Sequence, residues 1–392
     1  KIKGLLDEKP HREQPFPRVE KNPVACVFYT SGSSGTPKGI SLGHSGYVNM
    51  SLALIRCFHL TENDRVLQFA SYSFDVSMSE IFITLFSGGA LVVADKEKID
   101  DPQAFLAYLE QTNVTVAMLS PGYLNALDRN RLKTLRILIS GGEHPLMEDV
   151  CYYREKALYF NAYGPTEASV CTTIHKVSRD KSYAHVIPIG KPISNVSVYI
   201  VSNAMKPVPI GVAGEITISG AGLSLGYLDQ PELTKEKFVS NPFSPGGQLY
   251  RTGDLGRWLP DGEIEFLGRK DEQVKVRGFR IELGEIENSL LRHPSVKEAV
   301  VIKKRGSDDL AAYIVCNEEV TAQALKSHCQ TFLPDYMIPS VFVPLKSMPL
   351  TVEGTGKIDR KALPSPDTAG SLSLKTEYVA PRNSLETRLS GL

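Results

Sequence analysis

The chain has 392 residues, 42% of them hydrophobic, which is enough for two or three domains around a large core and argues against disorder. Forty-four basic and forty-four acidic side chains cancel, so no net field draws the chain to nucleic acid or to an anionic membrane. Its cysteines (Cys26, Cys57, Cys151, Cys171, Cys316 and Cys329) form no CxxC pair and no Cys/His cluster, which speaks against zinc and for reduced thiols in a cytoplasmic protein.

Residues 1–23 are charged and proline-bearing and read as linker or surface. They begin without Met and lack a signal-peptide stretch, like a cut end. From Val24 the texture changes. Short apolar runs (Val24 to Tyr29, Ala90 to Ala94, Val114 to Leu119, Arg136 to Ser140) alternate with helix-like stretches (Gly46 to Phe58, Pro102 to Thr112, Met147 to Lys156). That rhythm predicts a parallel sheet covered on both faces, and no run approaches the roughly 20 residues of a membrane-spanning helix. After Ile187, short strands separated by glycine turns (Val196 to Val201, Gly214 to Ser219, Leu249 to Thr252, Glu263 to Leu267) predict an antiparallel or barrel-like portion. A small α+β domain should start near Asp271, with helices Leu283 to Arg292 and Thr321 to Phe332 and strands Val296 to Lys303 and Leu310 to Val315. Beyond Pro364 the Ser, Pro, Thr and Gly content reads as linker.

The stretch Thr30 to Gly39, TSGSSGTPKG, asks for a ligand. Its glycines let backbone N–H groups turn inward, its hydroxyls add donors, and Lys38 places a cation at the end of the loop, as a phosphate site requires. The spacing is neither that of a Walker P-loop nor that of a serine-hydrolase elbow. A bland surface loop of the same composition stays open on this stretch alone.

Further motifs follow in order: FDVS (74–77), NAYGPTE (161–167), YRTGDL (250–255), GRKDEQVKVRGFRIELGEIE (268–287), LPDYMIP (333–339) and GKIDRKALP (356–364). Together with the loop, this set resembles the adenylation domains of nonribosomal peptide synthetases, within the adenylate-forming enzymes, from about Ala25 to Pro364. The resemblance implies an α/β adenylate-forming fold. A large domain (24–270), made of a layered α/β sheet and a barrel-like β portion, precedes a small mobile α+β domain (271–364), a linker (365–380) and the start of a carrier domain (381–392). Members ordinarily carry a much longer stretch ahead of the glycine-rich loop, so the large domain is expected to be incomplete at its N-terminus.

The resemblance also implies a reaction: an amino acid and ATP form an aminoacyl-adenylate and pyrophosphate, and the aminoacyl group then passes to a carrier's phosphopantetheine thiol. Positive charge and preorganised donors are its main catalytic need. Thr30, Ser31, Gly32, Ser33, Ser34, Gly35, Thr36 and Lys38 are expected around the outer phosphates. Gly142, Asn161, Tyr163 and Gly164 are expected at the nucleotide, with Tyr163 against the adenine and Thr166 near the α-phosphate. Asp254 is expected at the ribose and Arg269 beside it, while Glu167 would hold Mg²⁺. Asp271 matches the hinge, and Lys357 the lysine that enters from the small domain for the first half-reaction. The bland alternatives are a core aromatic for Tyr163, a turn aspartate for Asp254 and a helix N-cap for Asp75.

Asp75 matches the partner of the substrate's α-ammonium. Val76, Ser79, Met118, Ile139, Gly141, Ala162, Val170 and Cys171, closed by Lys357, match the pocket wall. Its small and apolar lining implies a large hydrophobic or aromatic side chain. Two departures stand out: Thr355 replaces an Asn in a slightly lengthened loop before Lys357, and Leu225 replaces an Arg. The expected partners are the amino acid, a downstream carrier domain and neighbouring synthetase domains. Competing readings are an acyl-CoA or carrier-charging ligase, and a non-catalytic domain that binds a nucleotide or a partner.

Overall fold

The computed structural model describes residues 23–30, 37–183, 186–270, 273–276, 279–304, 307–349, 358, 360–366 and 372. Ser31, Gly32, Ser33, Ser34, Gly35, Thr36, Asp271 and Lys357 lie outside the described residues, as do 1–22, most of the 365–380 linker and the carrier-like 381–392.

A seven-stranded sheet organises the first part, in the spatial order Ala90–Val93, Arg65–Gln68, Val116–Met118, Ile137–Gly141, Leu158–Tyr163, Thr173–Lys176, Lys191–Pro192. The first five strands are mutually parallel and the last two antiparallel. Helices cross between them. Helix Pro102–Thr112 starts on an Asp101 cap that accepts from the Gln103 and Ala104 N–H groups, carries Pro at its first turn, and ends on left-handed Asn113. Helix His44–Phe58 buries Tyr47, Met50, Leu54 and Phe58, spaced three and four residues apart, against one face of the sheet. Phe105, Leu106 and Leu109 cover the other face.

The run at Val24 is an exception to the predicted pattern. Val24–Thr30 does not join the parallel sheet; it pairs antiparallel with Lys38–Gly43 in a separate hairpin, with Thr30 opposite Lys38. Val24 is 49% and Tyr29 63% exposed. An apolar run alone does not tell a half-exposed ribbon from a buried strand, because both use β-branched and aromatic residues.

The antiparallel portion expected after Ile187 is a five-stranded sheet, Val196–Val201, Gly214–Gly220, Gln248–Trp258 and Phe238–Ser240 in order, with Ile264–Arg269 also on the long strand. The small α+β unit has its own core. Helices Leu283–Leu291 and Ala322–Phe332 pack on strands Val296–Lys303, Leu310–Cys316 and Val341–Pro344, through Ile286, Leu290, Val301, Ile314 and Leu325. Ahead of it, hairpin Gln273–Val276/Phe279–Glu282 reaches toward the large unit. Among the described residues no helix is long and apolar enough to cross a membrane.

Candidate active site

Strand Leu158–Tyr163 runs parallel to Ile137–Gly141 and delivers Tyr163 at its C-terminal end, the side on which open α/β sheets bind ligands. The chain must turn sharply there. A Cβ on Gly164 would lie 2.3 Å from the Val170 carbonyl oxygen and 2.8 Å from the Cys171 Cα, so no side chain fits. A short 3-10 turn, Thr166–Ala168, follows, and then Ser169 and Val170 both take positive φ (56° and 70°). For β-branched Val170 this is a strained backbone, of the kind that gathers at ligand sites.

Asp254 sits on the long strand Gln248–Trp258, in register with Arg269 on the neighbouring strand. Its carboxylate is 4% exposed. The Tyr163 hydroxyl donates to Oδ2 at 2.5 Å, and Arg269 Nη1 donates to Oδ1 at 2.5 Å. Arg269 Nη2 also reaches the Thr252 carbonyl at 3.2 Å, and the Thr252 hydroxyl accepts from the Asp254 N–H at 2.9 Å. Tyr163, Asp254 and Arg269, expected around one nucleotide from motifs far apart in the chain, therefore form one bonded cluster. The turn-aspartate reading of Asp254 does not describe this strand position.

Asp75 stands at the N-cap of helix Val76–Ser87 without a side-chain bond to the N–H groups further along its first turn, though its carboxylate does bond the adjacent Val76 N–H. Thr166 bonds the carboxylate as well. Burial pushes the Asp75 carboxyl above the usual carboxylate range, against the Thr166 hydrogen bond, and the neighbouring Glu167 charge adds to the rise. A cation arriving there would reverse the shift. Several expected wall residues neighbour one another: Ser79 Oγ lies 3.4 Å from Met118 Sδ, Met118 is in register with Ile139, and Gly141 with Ala162. Gly141 is forced small, since a Cβ would meet the Ala162 carbonyl oxygen at 2.7 Å. Cys171 is buried, which holds its thiol well above the ordinary value and keeps it an inert apolar surface.

Two expected nucleotide positions lie beside the end of the sheet strands. The Asn161 amide donates to the Pro188 carbonyl at 2.9 Å, and Gly142 leaves its strand with φ of 86°. Thr30 and Lys38 pair at the end of their hairpin that leads into residues 31–36. Lys38 Nζ lies 3.5 Å from Glu282 Oε1 of the small unit's hairpin.

Other residues of that hairpin meet the site as well. The Lys275 ammonium stands 5.8 Å from the Tyr163 ring centre and its charge also acts on Asp75, linking the two clusters. Phe279 packs edge-on against Phe74 at 4.7 Å and stacks on Tyr336 at 3.9 Å. Lys275, Phe279 and Glu282 all lie inside the 268–287 motif. Period-two alternation puts Lys275 and Glu282 on one face of the hairpin and Phe279 on the other, and it does not say which unit either face would meet.

Glu167 is 2% exposed and accepts from the Tyr227 hydroxyl at 2.9 Å. Among the described residues no group of three or more His, Cys, Asp or Glu could hold a metal. A carboxylate such as that of Glu167 is a hard oxygen donor, the type that suits an ion such as Mg²⁺ sharing its shell with phosphates and water.

Comparison with known proteins places this geometry. The AMP-binding enzyme model matches residues 2–228, and the AMP-binding enzyme C-terminal domain model residues 285–355. Tyrocidine synthase 1 of Brevibacillus parabrevis is 46% identical over 369 residues, covering 93% of this chain and 34% of that protein. Bacitracin synthase 3 of Bacillus licheniformis is 46% identical over 369 residues, covering 93% of this chain and 6% of that protein. The chain thus spans about a third or less of these relatives. An artificially fused adenylation-PCP di-domain NRPS, NpsA-ThdA from Klebsiella oxytoca, superposes with a TM-score of 0.76 at 28% identity, covering 88% of this chain and 70% of that one. The chain belongs to the AMP-binding enzyme family, and within it is an adenylation domain of the nonribosomal peptide synthetase kind.

Proposed function

We propose that the chain activates an amino acid with ATP and passes it to the phosphopantetheine thiol of a carrier domain. The observation that carries this reading is the Asp75 carboxylate, bonded by Thr166 and lifted by burial, beside the Tyr163–Asp254–Arg269 cluster. A desolvated carboxylate is costly, and an α-ammonium would supply it with a cation more directly than the Lys275 charge that reaches it from the hairpin.

In this reading Asp254 and Arg269 receive the ribose, Tyr163 the adenine, and Asp75 the ammonium. The substrate carboxylate is thereby held toward the α-phosphate beside Thr166, and positioning of this kind lowers the entropic part of the barrier. The carboxylate oxygen attacks phosphorus, and the bond to the β-phosphate oxygen breaks to release pyrophosphate. Lys38 and the 30–36 loop attend the leaving group. Glu167 would hold Mg²⁺, which when bound neutralises phosphate charge. Lys357 would enter for this step, and Asp271 would be the hinge that withdraws it. The wall of Val76, Ser79, Met118, Ile139, Gly141, Ala162, Val170 and Cys171 suits a large hydrophobic or aromatic side chain.

The test is amino-acid-dependent exchange of labelled pyrophosphate into ATP, run across the twenty amino acids. Exchange is expected to be highest with Phe, Tyr or Trp. Exchange led by small or acidic residues would refute the pocket assignment, and no exchange with any of them would refute the activity.

A further inference from the structure

Glu80 lies outside the nucleotide cluster and the pocket wall, yet it is fully buried in the second turn of helix Val76–Ser87. Its Oε2 accepts from the Phe69 N–H at 3.2 Å and from the Ala70 N–H at 3.1 Å, and its Oε1 accepts from the Ala70 N–H at 3.3 Å. The Gln68 side chain also bonds it, while Gln68 Nε2 donates to the Ala70 carbonyl at 2.5 Å. Strand Arg65–Gln68 ends just before these residues, so the carboxyl takes the place of the strand partner that Phe69 and Ala70 lack. Burial pushes the Glu80 carboxyl up to about 8, so it is mostly protonated at neutral pH and adds little charge beside Asp75.

The clamp closes a loop from residue 69 to residue 80, and that loop carries Phe74, Asp75, Val76 and Ser79. Inside it the Phe74 N–H donates to the Ser71 carbonyl at 2.9 Å, and the Ser77 hydroxyl to the Phe74 carbonyl at 2.6 Å. Asp75 is then held from two sides, by this closed loop and by Thr166. We propose that Glu80 is a positioning residue for amino-acid recognition: by tying Phe69 and Ala70 to the helix it fixes where Asp75 and the adjoining pocket wall stand. The proposal rests on the reading of Asp75 as the ammonium partner.

The experiment compares Glu80→Gln, Glu80→Leu and Glu80→Asp in pyrophosphate exchange, titrating the amino acid and ATP separately. Gln keeps an acceptor at the same reach and should hold both KM values within about twofold. Leu abolishes the acceptor, and Asp withdraws it by one methylene. Loss of one or two such hydrogen bonds should raise KM for the amino acid roughly five- to thirtyfold, with KM for ATP nearly unchanged. Asp is the variant read if Leu does not accumulate folded. An unchanged amino-acid KM in Leu or Asp, or an equal rise for ATP, overturns the proposal, because a merely structural role would not single out one substrate. Wild-type protein that exchanges with no amino acid removes the reading beneath it as well, a result distinct from active wild type with indifferent variants.

Discussion

Arg269→Met tests the nucleotide cluster most directly. The substitution keeps the bulk of the side-chain stem but removes the cation 2.5 Å from Asp254 Oδ1 and the hydrogen bond to the Thr252 carbonyl. Asp254 is 4% exposed, so water cannot replace the lost partner, and the Tyr163 hydroxyl remains as its donor on Oδ2. Breaking a buried ion pair from one side costs about 3–5 kcal/mol. Tyr163→Phe leaves the charge pair and removes one charge-assisted hydrogen bond, for about 1.5–3 kcal/mol. Both act on one carboxylate, so the double variant should depart from the sum of the singles by at least about 0.5 kcal/mol. Urea unfolding followed by fluorescence is a suitable assay, because the chain's single tryptophan, Trp258, ends the strand that carries Asp254. With a slope of about 2 kcal/mol/M, Arg269→Met should lower the midpoint by roughly 2 M. ATP at a hundred times its Kd should add about 2.7 kcal/mol to the wild type and clearly less to either variant. A midpoint shift under about 0.3 M for Arg269→Met, or full additivity in the double variant, would refute the claim that these three groups share one buried charge.

Three further outcomes follow from local geometry. Gly164→Ala places a Cβ 2.3 Å from the Val170 carbonyl oxygen, a backbone atom that cannot swing aside. It should cost about 1–3 kcal/mol and lower Tm by several degrees, and an unchanged Tm would show that the 164–171 turn yields freely. His175 is buried between Glu263 (2.7 Å from Nδ1) and the Tyr183 hydroxyl (2.8 Å from Nε2), while that hydroxyl accepts from the Ser178 N–H. The arrangement suits a neutral ring, and burial holds the His175 pKa below 6.5 despite the Glu263 charge. The folded state thus binds fewer protons than the unfolded one below that pH. Stability should fall as pH drops from about 6.5, and His175→Gln should flatten the profile, as equilibrium unfolding between about pH 7 and 5 can check. Glu282→Gln frees Lys38 from its partner at 3.5 Å without changing shape. Pyrophosphate exchange should hold or rise, whereas transfer to a carrier thiol should slow; equal loss of both would deny the pair any role in choosing between the two steps.

How legible this site was depended on how local its determinants are. NAYGPTE, YRTGDL and FDVS could be read because each contains its own backbone requirement: Gly164 tolerates no side chain, Thr252 binds the Asp254 N–H two residues on, and Asp75 begins a helix. The predicted helix at Pro102 announced itself through its Asp101 cap and first-turn proline in the same way. Strand Arg65–Gln68 was not visible, because two of its four residues are polar and its burial comes from neighbours on either side in the sheet. Val24–Thr30 misled for the opposite reason, since an apolar run carries no label saying how many neighbours it has. Glu80 shows the limit most clearly. A glutamate among apolar helix residues reads as a solvated face, and only the unpaired N–H of Phe69, eleven positions earlier and just past a strand end, turns it into a buried acceptor.

Apart from the Glu80 clamp, the contacts that could not be read join the small unit's hairpin to the large unit. Lys38 meets Glu282, Tyr163 meets Lys275, and Phe74 meets Phe279, so three motifs of the large unit each touch the 273–282 hairpin. Each large-unit partner is a residue assigned to ligand contact, or the neighbour of one. A lysine set for phosphate has an obvious alternative partner in a carboxylate, and an aromatic ring set for adenine has one in an ammonium. Small-unit groups that mimic ligand chemistry can therefore occupy the same side chains in the ligand's place. For Lys38 the exchange is of one anionic partner for another and costs little, which is the energetic condition for the proposed visits of the small unit to the site.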